Sequence, residues 1–225
     1  MKVWESLHPQ LAFSQKMIDG SELQGVARYR RERRKIGRVC GEQALSAAGY
    51  QISGDVESKA FKTDVIPCWP EGFVGSITYT KDFAMAAVAQ QDAFKSVGID
   101  AERVISEATL AKIEKFIASD AEQRLFSVAL CKEISKEEFY TILFSAKESI
   151  YKCFYPLIQK IAGFQDVEIV SIDLKNNKFE YKFIRTLSQD FPYGYRGEGF
   201  VNMIDDNIYT LVHLEQLPAG LQKAQ

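Results

Sequence analysis

Two groups of ionisable residues in this sequence have the types and spacing that phosphate and metal chemistry would need. Asp100 and Glu102 follow the apolar Val97-Gly98-Ile99 and occupy alternate positions. Alternate side chains of a strand share a face, so both carboxylates can aim at one point. Like charges held that close repel unless a cation lies between them. Magnesium commonly fills that role, as a hard ion held by a few carboxylates and completed by water and phosphate oxygens. Solvated acidic pairs are also common, so the pattern is weak by itself. The glycine-bearing apolar run before it puts the acids at the end of a sheet rather than on a loop. The second group is Lys147, Glu148 and Lys152. On a helix, Glu148 and Lys152 are i and i+4 and share a face. Such a pair is often a surface salt bridge of small value. Here Phe144, Ala146, Ile150, Tyr151 and Phe154 surround it, so the helix is apolar on several sides. Charge on a largely buried helix needs a partner or a function.

The elements that must position these residues can be read outward from them. Residues 97–99 begin a short strand that carries the first pair. A helix over 136–155, stopped by Pro156, carries the second, and helical patterning also covers 106–132. Upstream, a proline-free helix over 26–48 ends at Gly49, and its first half is intensely basic. Arg28, Arg30, Arg31, Arg33, Arg34, Lys35 and Arg38 are interrupted by one acid, Glu32. Residues 51–64 read as loop, and Pro67-Cys68-Trp69-Pro70-Glu71-Gly72 as turns. Strands are expected over 75–80 and 83–89, then over 167–174, 179–186, 199–204 and 208–214. Gly75, Ile77, Asp82 and Val88 recur in spacing as Gly199, Val201, Asp206 and Val212. That is either an internal repeat or the resemblance of any two hairpins. A repeat would make the chain an α+β protein of two similar halves, 1–105 and 106–225, in a pseudo-twofold arrangement. Each half would be a long helix on a small antiparallel sheet, with the active site in the cleft between them.

The chain has 225 residues, 46% hydrophobic and 26% charged, with a net charge of −2. A globular fold with a real core is expected, and any attraction for phosphate must come from local clusters. The N-terminal residues lack an apolar run behind a basic start. No stretch reaches about 18 apolar residues, so no membrane span is expected and the expected location is cytoplasmic. The four cysteines, Cys40, Cys68, Cys131 and Cys153, form no C-x-x-C pair, and His8 and His213 are the only histidines. That argues against structural zinc and for reduced thiols.

Taken together and in this order, the two clusters resemble the signature of the 4′-phosphopantetheinyl transferase superfamily. There G-I-D-x-E is followed downstream by W/F-x-x-K-E-x-x-x-K. Here the segments read Gly98-Ile99-Asp100-Ala101-Glu102 and Phe144-Ser145-Ala146-Lys147-Glu148-Ser149-Ile150-Tyr151-Lys152. Pro67-Cys68-Trp69-Pro70 with Gly75-Ser76-Ile77-Thr78 is similar to the W-P…G-S-[IL]-[ST]-H motif of the enterobactin-synthetase type. Ile36-Gly37-Arg38 is similar to the end of that subgroup's arginine-rich segment. The resemblance covers roughly residues 26–155, and the C-terminal third carries no matching motif.

The resemblance implies a monomer that transfers the 4′-phosphopantetheine group of coenzyme A to a serine of an apo acyl, peptidyl or aryl carrier protein. Adenosine 3′,5′-bisphosphate would be released, and non-ribosomal peptide or siderophore synthesis is the pathway implied. By similarity, Asp100, Glu102 and Glu148 would hold Mg²⁺, or Mn²⁺, against the pyrophosphate. Glu148 would act as general base, and Lys152 would offset charge on the phosphates and the leaving group. Lys147 would reach the pantetheine or phosphate end. Arg38, with Arg30 on a similar helix face, would bind the 3′-phosphate of coenzyme A, because a planar guanidinium donates two hydrogen bonds to a phosphate. A solvated basic face, or contact with an acidic carrier surface, are the other interpretations of the same arginines. Thr78 and Tyr79 would also face coenzyme A. Tyr79 stands where the family has a histidine that contacts a phosphate. Tyrosine can donate one hydrogen bond but carries no positive charge at neutral pH. Lys81 is a candidate replacement, and the segment around Lys62 also departs from relatives. Residues 154–164 are a candidate part of the carrier-docking surface. The rival function is a catalytically silent carrier-protein- or nucleotide-binding module, opposed by the intact acidic ligands. Nucleic-acid binding through 28–38 is opposed by the net charge of −2 and the lack of an aromatic stacking platform.

Overall fold

The computed structural model describes residues 8–18, 26–51, 67–130, 132–159 and 163–216. Lys62, most of the loop expected over 51–64, and Cys131 lie outside the described residues. The fold is α+β. The strands are β1 (Ala12–Met17), β2 (Phe73–Tyr79), β3 (Phe83–Gln90), β4 (Phe94–Arg103), β5 (Val167–Asp173), β6 (Lys178–Phe183), β7 (Arg196–Ile204) and β8 (Asn207–Glu215). The helices are α1 (Val26–Ala47), α2 (Glu107–Ile117), α3 (Asp120–Leu125) and α4 (Lys136–Ile158). They form a three-stranded sheet ordered β1-β3-β2 and a five-stranded sheet ordered β4-β8-β7-β6-β5. The chain divides into two compact units, Met1–Val97 with His213–Gln225, and Gly98–Val212.

In the first unit, β3 is the central strand, antiparallel to β1 and β2. Phe83 to Ala89 are all buried, as a strand covered on both faces requires. Cys40, Ala44 and Leu45 of α1 pack on Ile77, Ala84, Ala86 and Val88 of the sheet. Gly49 takes a positive φ of 97°, a conformation glycine adopts without steric cost, and so ends α1. β1 was not expected, because Ala-Phe-Ser-Gln-Lys-Met lacks apolar alternation. Its inner polar residue, Ser14, donates a 2.8 Å bond to Gln43 on α1.

In the second unit, α4 begins at a reciprocal cap, where Ser135 and Glu138 each bond the other's backbone. It does not stop before Pro156. The helix continues to Ile158 and closes at Gln159 in the left-handed conformation. Pro156 lies in the last turn, where its missing N–H removes only one intrahelical bond. The helix expected over 106–132 is broken: Ala118 is extended, Ser119 caps α3, and a π turn covers Phe126–Leu130. A second reciprocal cap, between Ser119 and Glu122, restarts the chain in a new direction. Ser145 on α4 and Thr210 on β8 join through their hydroxyls at 2.9 Å. Phe154 makes edge contacts with Phe183 and Phe191, which close the aromatic core. The two hairpins singled out by spacing pair in equivalent registers: Ile77 faces Ala86, and the corresponding Val201 faces Thr210.

Candidate active site

β4 and α4 meet at a glycine. A Cβ on Gly98 would collide with the Ser149 carbonyl oxygen and with the backbone and side chain of Cys153. The missing side chain lets helix backbone rest on strand backbone. Just beyond it on β4, Asp100 is buried, and its Oδ1 accepts a 2.6 Å hydrogen bond from Lys152 Nζ. Glu148 lies one turn before Lys152 on α4 and is half-buried. Burial pushes the Glu148 carboxyl above the ordinary glutamate value; the Lys152 ammonium draws it back, and the Asp100 charge adds a smaller upward push. Glu102 is half-buried on β4, on the Asp100 face by strand alternation.

Among the described residues, no three His, Cys, Asp or Glu side chains are grouped closely enough to hold a metal ion. Lys152 neutralises Asp100 in this arrangement. The donor set still matches a hard divalent cation in chemistry. Asp100, Glu102 and Glu148 offer only carboxylate oxygens, against the single positive charge of Lys152, and Asp100 makes ionised Glu148 more costly. By ligand type and charge the residues suit a hard divalent cation.

The structure places Lys147 and Thr78, both expected to reach coenzyme A, inside the fold. Lys147 is 3% exposed, and its ammonium donates to the carbonyl oxygens of Ile117 and Phe164 and to the Glu122 carboxylate. Being next to Glu148 on a helix, it points about 100° away, into the protein. Thr78 is 1% exposed. It alternates with Tyr79 on β2, and Tyr79 is the one that faces α1.

In the first unit, the Tyr79 phenol lies against Gly37 of α1, where a Cβ would clash with it. The Arg33 guanidinium sits 5.1 Å from the Tyr79 ring centroid. Burial pushes the Tyr79 phenol above its ordinary value, while Arg33, Arg38 and Arg34 oppose that shift. Tyr79 therefore stays a neutral hydrogen-bond donor among arginines. Arg38 is half-buried and electrically coupled to it, whereas Arg30 is exposed. Arg33 and Gly37 were named in the sequence only as members of the basic run and its closing motif, without the contact to Tyr79. Glu122 had not been singled out, although Ser119-Asp120-Ala121-Glu122 has capping-box spacing.

A coupled carboxylate–lysine group on an α+β scaffold suits phosphoryl-group chemistry, in which charge stabilisation supplies most of the catalysis. The profile of the 4′-phosphopantetheinyl transferase superfamily matches residues 96–202. That of the 4′-phosphopantetheinyl transferase N-terminal domain matches residues 21–89. The chain belongs to this superfamily. Enterobactin synthase component D of Salmonella typhi is 30% identical over 152 residues, 67% of this chain and 59% of that one. Its namesake in Escherichia coli is 32% identical over 155 residues, 67% and 66% of the two chains. The 4′-phosphopantetheinyl transferase PptT of Mycobacterium tuberculosis is 38% identical over 105 residues, 46% and 43%. The chain thus spans about half to two thirds of the length of these relatives. No helix among the described residues is long and apolar enough to cross a membrane.

Proposed function

We propose that this chain transfers the 4′-phosphopantetheine group of coenzyme A to a serine of an apo carrier protein and releases adenosine 3′,5′-bisphosphate. The observation that carries this reading is the 2.6 Å bond from Lys152 to Asp100 with Glu148 on the adjoining helix turn. The serine hydroxyl must lose a proton as it attacks the β-phosphorus, and charge must be offset on the phosphates and on the departing bisphosphate. Glu148 accepts the proton; its half-buried carboxylate is more basic than a solvated one. Lys152, held in place by Asp100, presents its positive charge to the phosphates. Asp100, Glu102 and Glu148 would hold Mg²⁺, which when bound supplies positive charge to the pyrophosphate. Arg38 and the neutral Tyr79 phenol receive the 3′-phosphate of coenzyme A, with Arg30 at the exposed edge. The enterobactin synthase relatives support a carrier from non-ribosomal siderophore synthesis; a monomer acting in the cytoplasm is part of the same proposal.

The test is to incubate the chain with coenzyme A, Mg²⁺ and an apo carrier protein and to weigh the carrier. A mass gain of one phosphopantetheine is expected, and EDTA should prevent it. Unchanged mass with several acyl and peptidyl carriers would overturn the proposal.

A further inference from the structure

Beside Glu148 lies a buried ion pair between Lys147 and Glu122. Lys147 is 3% exposed and Glu122 is fully buried at 0%. The Lys147 ammonium donates at 2.7 Å to the Ile117 carbonyl, which closes α2, and at 2.9 Å to the Phe164 carbonyl, which precedes β5. Its third bond, 2.9 Å, goes to the Glu122 carboxylate on α3. That carboxylate also accepts from the Ser119 backbone N–H at 2.7 Å and from the Ile169 backbone N–H at 2.8 Å. Ile169 lies at the register shift of the β5–β6 pairing. All three ammonium donors are satisfied, and both carboxylate oxygens accept a backbone N–H.

We propose that Glu122 and Lys147 are positioning residues that set the rotation and height of α4, and so the placement of Glu148 and Lys152 against Asp100. A fully buried ion pair is weak support for stability, since an apolar pair of similar volume is often as stable. Lys147 of α4 bonds α2, α3 and the turn before β5 directly, and Glu122 extends the set to β5 by accepting from Ile169. Lys147 directly precedes Glu148, so pinning its Cα fixes where the next side chain leaves the helix. Proton transfer and in-line attack tolerate sub-ångström error, and displacement by about 1 Å can cost on the order of 100-fold in rate.

The inference rests on the transferase reading. Assaying the unaltered protein first separates the two, because an inactive parent refutes that reading and not the positioning. The main variant is Glu122→Gln with Lys147→Met, which removes both charges together so that neither is left buried alone. It is expected to melt cooperatively near the parent temperature. Its kcat should fall by roughly 10- to 100-fold with KM for coenzyme A nearly unchanged. If KM rises while kcat holds, Lys147 is a coenzyme ligand and the proposal fails. If kcat per folded molecule equals that of the parent, the pair is merely structural and the proposal fails again. Should that variant not fold, Glu122→Asp keeps the charge but withdraws it by one methylene. It should fold and lose kcat without a KM change, and a parent-like kcat there would equally refute positioning.

Discussion

Glu148 is pulled in two directions. Burial, and secondarily the Asp100 charge, push its carboxyl up, while Lys152 pulls it down, and the net shift is upward. A carboxyl whose folded value exceeds its unfolded value favours the folded state when protonated. That contribution is lost as pH rises from the unfolded to the folded value. Near neutral pH in EDTA, ionised Glu148 therefore costs stability. Glu148→Gln should abolish transfer while melting at or above the parent temperature; a lower melting temperature would make Glu148 structural. Lys152 behaves oppositely. Lys152→Met removes the amine bonded to buried Asp100. Breaking a buried pair costs about 3–5 kcal/mol. Lys152 is 24% exposed, so about 1–3 kcal/mol is expected here. Thermal unfolding should register that as a drop of several degrees, with transfer lost. At Tyr79, a histidine would return a chargeable group to the arginine cluster. Tyr79→His should keep transfer and lower KM for coenzyme A. A dead variant would remove Tyr79 from the neighbourhood of the phosphate.

At the scale of elements, the function depends on how closely β4 and α4 approach. Gly98→Ala would drive a methyl into the Ser149 carbonyl oxygen, which cannot rotate away as a flexible side chain could. Overpacking of this kind costs about 1–3 kcal/mol. A calorimetric scan should show a loss of roughly 2–4 °C per kcal/mol for a chain of this size, with kcat reduced more than the folded fraction. Parent-like melting would mean the two elements are free to separate. Asp100, Glu102, Glu148 and Lys152 were picked out by their match to the superfamily motifs, since strand and helix spacing alone left each cluster a weak signal. The role of Lys147 was not legible, since i, i+1 spacing says only that it leaves Glu148's face, and its partner Glu122 is remote in the chain. The break at Ala118 was written in Ser119-Asp120-Ala121-Glu122, but an apolar period running across it hid the cap. β1 carries no alternation of its own and becomes a strand only because β3 offers an edge. Pro156 misled because a proline in the last turn subtracts little from a helix already bonded upstream.

At the scale of the whole molecule, charge is unevenly distributed. The net charge is −2, yet α1 places Arg28, Arg30, Arg31, Arg34 and Lys35 at the surface, with Arg33 and Arg38 half-buried. Lys35 is partly neutralised by Glu32 at 2.7 Å. The remaining guanidiniums form a local positive field suited to a phosphate ester on an otherwise acidic protein. Exposed charges are screened over about 10 Å at 0.1 M salt, whereas buried pairs are screened much less. Lys152 and Asp100 lie at 24% and 4% side-chain exposure. Ionic strength should therefore separate binding from chemistry. Raising NaCl from about 0.05 to about 0.5 M should raise KM for coenzyme A several-fold and leave kcat nearly constant. Arg38→Ala should raise KM roughly 10-fold at low salt and flatten its salt dependence, because one of the screened partners is gone. Steady-state kinetics across that salt range decide the matter. A KM that ignores salt in the parent, or a slope unchanged in Arg38→Ala, would remove α1 from coenzyme A recognition and leave its arginines to another partner.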